Sequence, residues 1–188
     1  RTNDGHPDRS DFPGRDQYAL IARYLEFAEK MTGFGTNSPI YLTFDGPPDT
    51  ELLPTPEESL DPTNGLFLVD VDRHSPWRGE VVPIDWDFQA TATTYQPSNL
   101  LAVKPVWGFP LRPLTTYALV MTTAIAAPAP QMAEVWSRDS ADHDHWAPTQ
   151  ETLLGLGMRT EDVAVATVFT TLDTAGEMSR LAERIHED

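Results

Sequence analysis

Asp142-His143-Asp144-His145 is the densest group of potential metal ligands in the chain, four ionisable side chains in an unbroken run. On extended backbone the period of two puts His143 and His145 on one face and Asp142 and Asp144 on the other. Zinc and its neighbours take imidazole or carboxylate ligands from at least three positions. The remaining histidines, His6, His74 and His186, are scattered, and no third ligand is signalled. A solvated polar segment is therefore the expectation here. Calcium has a second candidate. Asp70 and Asp72 share a face of a predicted strand, and Asp85 or Asp87 across a predicted hairpin would add oxygen ligands. The loop spacing of an EF-hand is missing, so strand-end carboxylates facing solvent are the plainer reading and no cofactor is expected.

Covalent chemistry has less to stand on. The sequence contains no G-x-S-x-G, hence no nucleophile elbow, and nothing singles out another serine. Glycoside hydrolysis needs two acids at a set separation, and 29 acidic residues do not single out a pair. The tryptophans, Trp77, Trp86, Trp107, Trp136 and Trp146, would suit a sugar platform where exposed, but buried tryptophan is routine in a sandwich core. Gly33 and Gly35 imitate part of a phosphate loop, yet they follow a predicted helix and precede a predicted strand, the wrong order for a phosphate cradle.

The elements that would position such groups are mostly strands. Ser98 to Thr123 organises the reading: Leu100 to Val103 is a short strand, and Tyr117, Leu119 and Met121 alternate with Ala118, Val120 and Thr122 in a longer one. Between them Pro105, Gly108, Pro110 and Pro113 prevent regular pairing and shape a crossing. The spacing Leu111, Pro113, Tyr117 is that of a tyrosine corner, in which the ring packs in the core and the hydroxyl bonds back to the preceding turn. Leu111, Pro113 and Tyr117, with Trp107 before them, are read as structural. Further strands are expected over Pro39 to Asp45, Leu66 to Asp72, Val81 to Phe88 as a hairpin partner continuing through Ala90 to Thr94, and Asp162 to Thr171.

Helices are expected at both ends. Asp16 is a good N-cap for the stripe Leu20, Ile21, Tyr24, Leu25, Ala28, Met31, closed by Gly33. Thr174 and Glu177 read as a capping box before the stripe Met178, Leu181, Ala182, Ile185. A short helix is expected over Thr149 to Gly157, Met132 to Trp136 is either strand or helix, and Gly46 to Asn64 is a surface excursion. The organisation is then a polar arm over 1–15, an Ig-like or fibronectin-like β-sandwich with its N-terminal helix over 16–172, and a C-terminal helix over 173–188.

Composition limits the partners. Thirteen basic against 29 acidic residues leave a net charge of −16, which repels nucleic acid and anionic lipid. Hydrophobic content of 40% is ordinary for a folded chain, so disorder is not expected. The absence of cysteine names no redox compartment. No apolar run approaches the ~20 residues of a membrane span. The chain begins at Arg1 in a polar run without an initiator Met, and reads as a piece of something longer.

The succession S-P-I-Y-L-T-F-D, L-F-L-V-D-V-D, L-L-A-V-K-P-V-W-G-F-P-L-R-P-L-T-T-Y-A-L-V-M-T-T and E-D-V-A-V-A-T-V-F-T-T resembles the N-terminal Ig-like region of large secreted bacterial lipase or esterase-like proteins. The likeness spans roughly Gly33 to Leu172 and rests on strand and turn patterns. It implies a non-catalytic accessory domain, secreted, periplasmic or at the cell surface, followed by an α/β-hydrolase domain of the same polypeptide or partnered by a second chain. It carries no catalytic residue onto this sequence. The Ala/Pro run after Thr123 departs from the Gly/Asp turn of the family pattern. The alternative is an extracellular module that binds carbohydrate or a cell-surface protein, with calcium as a stabilising ion.

Overall fold

Leu66–Asp70 is buried at every position, and this strand divides the molecule into layers. Leu66 and Leu68 point into a core shared with Leu101, Val103, Tyr117, Leu119, Met121 and Phe169. Phe67 and Val69 point the other way, into a core with Val120, Met132 and Leu153. Each of these side chains contributes roughly 1.5–3 kcal/mol on burial, before entropy costs. An unbroken apolar run is what a strand needs when both of its faces are covered.

The structure, a computed structural model, describes residues 17–28, 31, 33–94, 96–137 and 139–187, the side chains of 177, 178, 180, 181 and 187 excepted. In chain order the elements are α1 (Ala19–Ala28), β1 (Ile40–Thr43), β2 (Leu66–Asp70), β3 (Val81–Val82), β4 (Ile84–Gln89), β5 (Leu100–Pro105), β6 (Thr116–Thr122), α2 (Met132–Val135), α3 (His143–Gly155), β7 (Val163–Thr170) and α4 (Gly176–Glu187). The strands form two antiparallel sheets, β1-β5-β4 and β3-β2-β6-β7, packed as a β-sandwich. Helices α2 and α3 cover the outer face of the four-stranded sheet, where β6 turns Ala118 and Val120 toward them.

Pro83 marks a change of sheet. Val81 and Val82 pair with β2, and directly after Pro83 the chain joins β5 in the other sheet. The predicted hairpin from Val81 to Phe88 is thereby corrected to two residues, and β4 ends at Gln89 without continuing through Ala90 to Thr94. A proline donates no backbone hydrogen bond, so the ladder is free to break there. The segment Gly46 to Asn64 is more than an excursion: it holds three 3-10 turns and buries Ser59, whose hydroxyl accepts the Ile84 N–H at 3.0 Å.

Gly33 does more than stop a helix. The backbone passes so close to the last strand that a Cβ there would lie 2.5 Å from the Thr171 carbonyl carbon. This close pass lets Phe34 form a parallel bridge with Thr171.

Among the described side chains, the end helices bury little against the sandwich. Leu25 of α1 is buried, but Leu20, Tyr24 and Phe27 are exposed. Ile185 of α4 is exposed as well, and the side chains of Met178 and Leu181 lie outside the described residues, as do Asp16 and the arm over 1–15. Asp173 accepts the N–H groups of Ala175 and Gly176 where α4 begins. Among the described residues, no helix is long and apolar enough to cross a membrane.

Candidate functional site

The best-built polar cluster lies where β2 ends and β6 begins. Asp70, the last residue of β2, stands opposite Tyr117 in the ladder, and its side chain is fully buried. Its Oδ1 accepts the Asp72 N–H at 2.9 Å, and its Oδ2 accepts the Ser75 hydroxyl at 2.5 Å. Arg112 brings a guanidinium nitrogen to 3.6 Å from the same Oδ2 and pairs with Glu80. Asp72 accepts the N–H groups of His74 and Thr116. A buried carboxylate needs such company, because an unpaired charge in the interior is expensive.

Tyr117 completes the cluster from within the core. It is fully buried, its ring stacks 6.3 Å from Phe169, and its hydroxyl accepts the Arg112 N–H at 3.1 Å, inside the turn from Leu111 to Leu114. Thr171 closes the same turn from the last strand. Its hydroxyl donates to the Arg112 carbonyl at 2.6 Å and accepts the Thr115 N–H at 3.0 Å. Burial raises the Tyr117 pKa; the Arg112 N–H opposes this, and the nearby Asp70 charge adds to it.

Chemically this assembly fixes a turn. The Ser75 hydroxyl donates to a carboxylate and accepts the Trp77 N–H, so its bonds are spent on structure and it is not primed as a nucleophile. Outside the cluster Trp77 is half exposed, with the Arg112 guanidinium 4.3 Å over its ring. Trp77, Asp72, His74, Arg112 and Leu114 line a depression of about 180 Å³, small beside the ~300–1,000 Å³ of typical ligand pockets. A larger recess of about 470 Å³ lies between α2 and the start of β7, lined by Pro128, Met132, Trp136 and Val163 among others.

The other sequence candidates are dispersed. Asp85 and Asp87 sit on β4, in the opposite sheet from Asp70, because the chain changes sheets at Pro83, so among the described residues neither joins Asp70 and Asp72 as the calcium candidate would require. His143 to His145 are helical and Asp142 is the N-cap: α3 starts at His143, six residues before the predicted Thr149. At ~100° per residue, His143 and His145 no longer share a face. Among the described residues, no three His, Asp or Glu side chains are grouped to hold a metal ion. Leu111 is buried and Pro113 exposed. Trp107, read as structural with them, is 74% exposed on the β5–β6 connection, next to Gly108 at φ +95°, and its ring carries the Lys104 ammonium at 5.2 Å.

Arg112, Thr171 and Ser75 are the members that sequence reasoning missed. Arg112 lies between Leu111 and Pro113 in the tyrosine-corner motif, so its position was visible although its partners were not. No protein-family model matches the chain, and no curated protein or solved structure matches it.

Proposed function

We propose that this chain is an Ig-like, non-catalytic accessory domain of a secreted bacterial lipase or esterase-like protein, supporting an α/β-hydrolase domain that follows it. The observation that carries the reading is the tyrosine corner at the crossing between sheets, with Tyr117 bonded to the Arg112 backbone. Strand order supports it too. β3-β2-β6-β7 has the order C′-C-F-G of an Ig-type sheet, and β1-β5-β4 the order B-E-D of its partner, with the corner tyrosine opening strand F. The cluster around Asp70 spends its polar groups on holding that corner, as a supporting domain requires.

The test joins an assay to the reading frame encoding the chain. The expected pair is no turnover of p-nitrophenyl butyrate or palmitate by the purified chain, and a G-x-S-x-G hydrolase domain encoded after it. Turnover abolished by one substitution within the chain, or adhesion-type repeats in place of the hydrolase, overturns the proposal.

A second reading, an extracellular carbohydrate-binding module, is favoured by the exposure of Trp77 and Trp107, 52% and 74%. Glycan-array binding lost in Trp77→Ala or Trp107→Ala supports it; an array with no bound glycan rejects it.

A further inference from the structure

Four strands form the edges of the two sheets, and three of them are blunted against further pairing. β3 has only two residues and runs into Pro83. β4 carries Asp85 and Asp87. β1 has four residues and is preceded by Pro39. β7 is the exception: its eight residues, V-A-V-A-T-V-F-T, include no charge, proline or glycine. Short length, charge and proline are the usual protections of an exposed edge, and β7 has none of them.

Hydrogen bonding along β7 leaves a defined gap. Thr171 bonds inward to β6, so by the antiparallel alternation Ala164, Ala166, Val168 and Thr170 turn their N–H and C=O groups outward. The Thr170 carbonyl is taken by the Phe34 N–H at 2.9 Å, and the Ala164 carbonyl by the Ala129 N–H at 2.8 Å. Between these two clasps Ala166 and Val168 have no outward partner among the described residues. The window is about 20 Å long at ~3.3 Å per residue. Beside it runs a groove of about 420 Å³ lined by Phe34, Pro39, Ile40, Tyr41, Val168 and Phe169 among others.

We propose that the β7 edge between the Phe34 and Ala129 clasps is a docking site for an extended peptide segment of a partner protein, with alternating apolar side chains and neutral or basic flanks, added as a further strand. Backbone groups of Ala166 and Val168 supply the hydrogen bonds, and the groove takes alternate side chains. Charge chooses the occupant. The groove and β7 are uncharged, but the chain carries −16, and Arg73, Arg78, Arg112 and Arg159 are already paired with acids. A second copy brings the same −16 and an acidic segment is likewise repelled, whereas a basic one is drawn in. The proposal stands on this edge and does not depend on the Ig-like reading.

The experiment titrates the full chain with the synthetic peptide Lys-Val-Thr-Val-Thr-Val-Lys, following the amides of Ala166 and Val168 by NMR and hydrogen exchange. A Glu-flanked version and a version N-methylated at alternate residues are the controls. Protection of both amides by the Lys-flanked peptide is expected, with about tenfold weaker binding for the Glu-flanked one and none for the N-methylated one. Tyr41→Ala, at a side chain 56% exposed and so compatible with the fold, is expected to weaken binding. Absent protection, equal binding of both flanks, or protection that appears with protein concentration alone (the signature of a second copy) overturns the proposal.

Discussion

Arg112 holds the buried end of β2 from a turn 42 residues further on, its guanidinium 3.6 Å from the Asp70 carboxylate while its backbone N–H is accepted by Tyr117 at 3.1 Å. One residue thus links charge neutralisation to the geometry of the sheet crossing. The link makes the order of several stabilities predictable.

Arg112→Ala leaves the Asp70 charge with only the Ser75 hydroxyl and the Asp72 N–H, and removes the cover from Trp77. A cost of about 2–3 kcal/mol is expected, below the full value for a buried pair because Arg112 is itself one-third exposed. In a double-mutant cycle by urea denaturation, Asp70→Asn is expected to recover part of that loss. Strictly additive effects would show that the pair is not coupled.

Tyr117→Phe keeps the buried ring and removes the hydroxyl that accepts the Arg112 N–H. The expected loss is about 1 kcal/mol, with an unchanged denaturant slope. An unaltered midpoint would mean that the bond carries no net stability.

The raised pKa of Tyr117 gives a pH dependence of known sign. Burial favours the neutral phenol in the folded chain, so the unfolded chain gives up this proton first. The stabilisation is fully present below the ordinary value near 10 and is lost as pH rises from there through the folded pKa. Stability measured across that alkaline window is expected to fall more steeply in the parent than in Tyr117→Phe. Parallel curves would refute the assignment.

Leu114 sits at φ +53° in the corner turn, a left-handed conformation that costs a leucine about 1 kcal/mol or more. Its side chain is 60% exposed, so truncation forfeits little burial. Leu114→Gly is therefore expected to stabilise the chain by about 0.5–1 kcal/mol, read as a higher melting temperature. Asn99, at the same φ, is already a residue type that tolerates it.

Local pattern alone was enough for β2, β6 and β7, and for the corner tyrosine with them. Alternation along Tyr117, Leu119 and Met121 and the apolar run Leu66 to Val69 are consequences of which faces must be dry, and a face is a property of a few neighbouring residues. The turn partner of Tyr117 was legible because it lies five residues away. Tertiary structure alone decided the rest. Pattern alone runs one strand from Val81 to Phe88 through Pro83; only the position of β5 determines that the residues after Pro83 cross to the other sheet and carry Asp85 and Asp87 away from Asp70. Asp142 to His145 is polar enough for a loop; the helix they start is held by downstream residues, with Leu153 in the outer core and Glu151 paired with Arg73 and Arg78. Trp107 stands exposed on the β5–β6 connection, which its place beside the corner motif in the sequence does not disclose. Alternation is written within five or six residues, but the partner of a buried charge and the freedom of an edge strand depend on residues tens of positions away, brought near only by the packing of the two sheets.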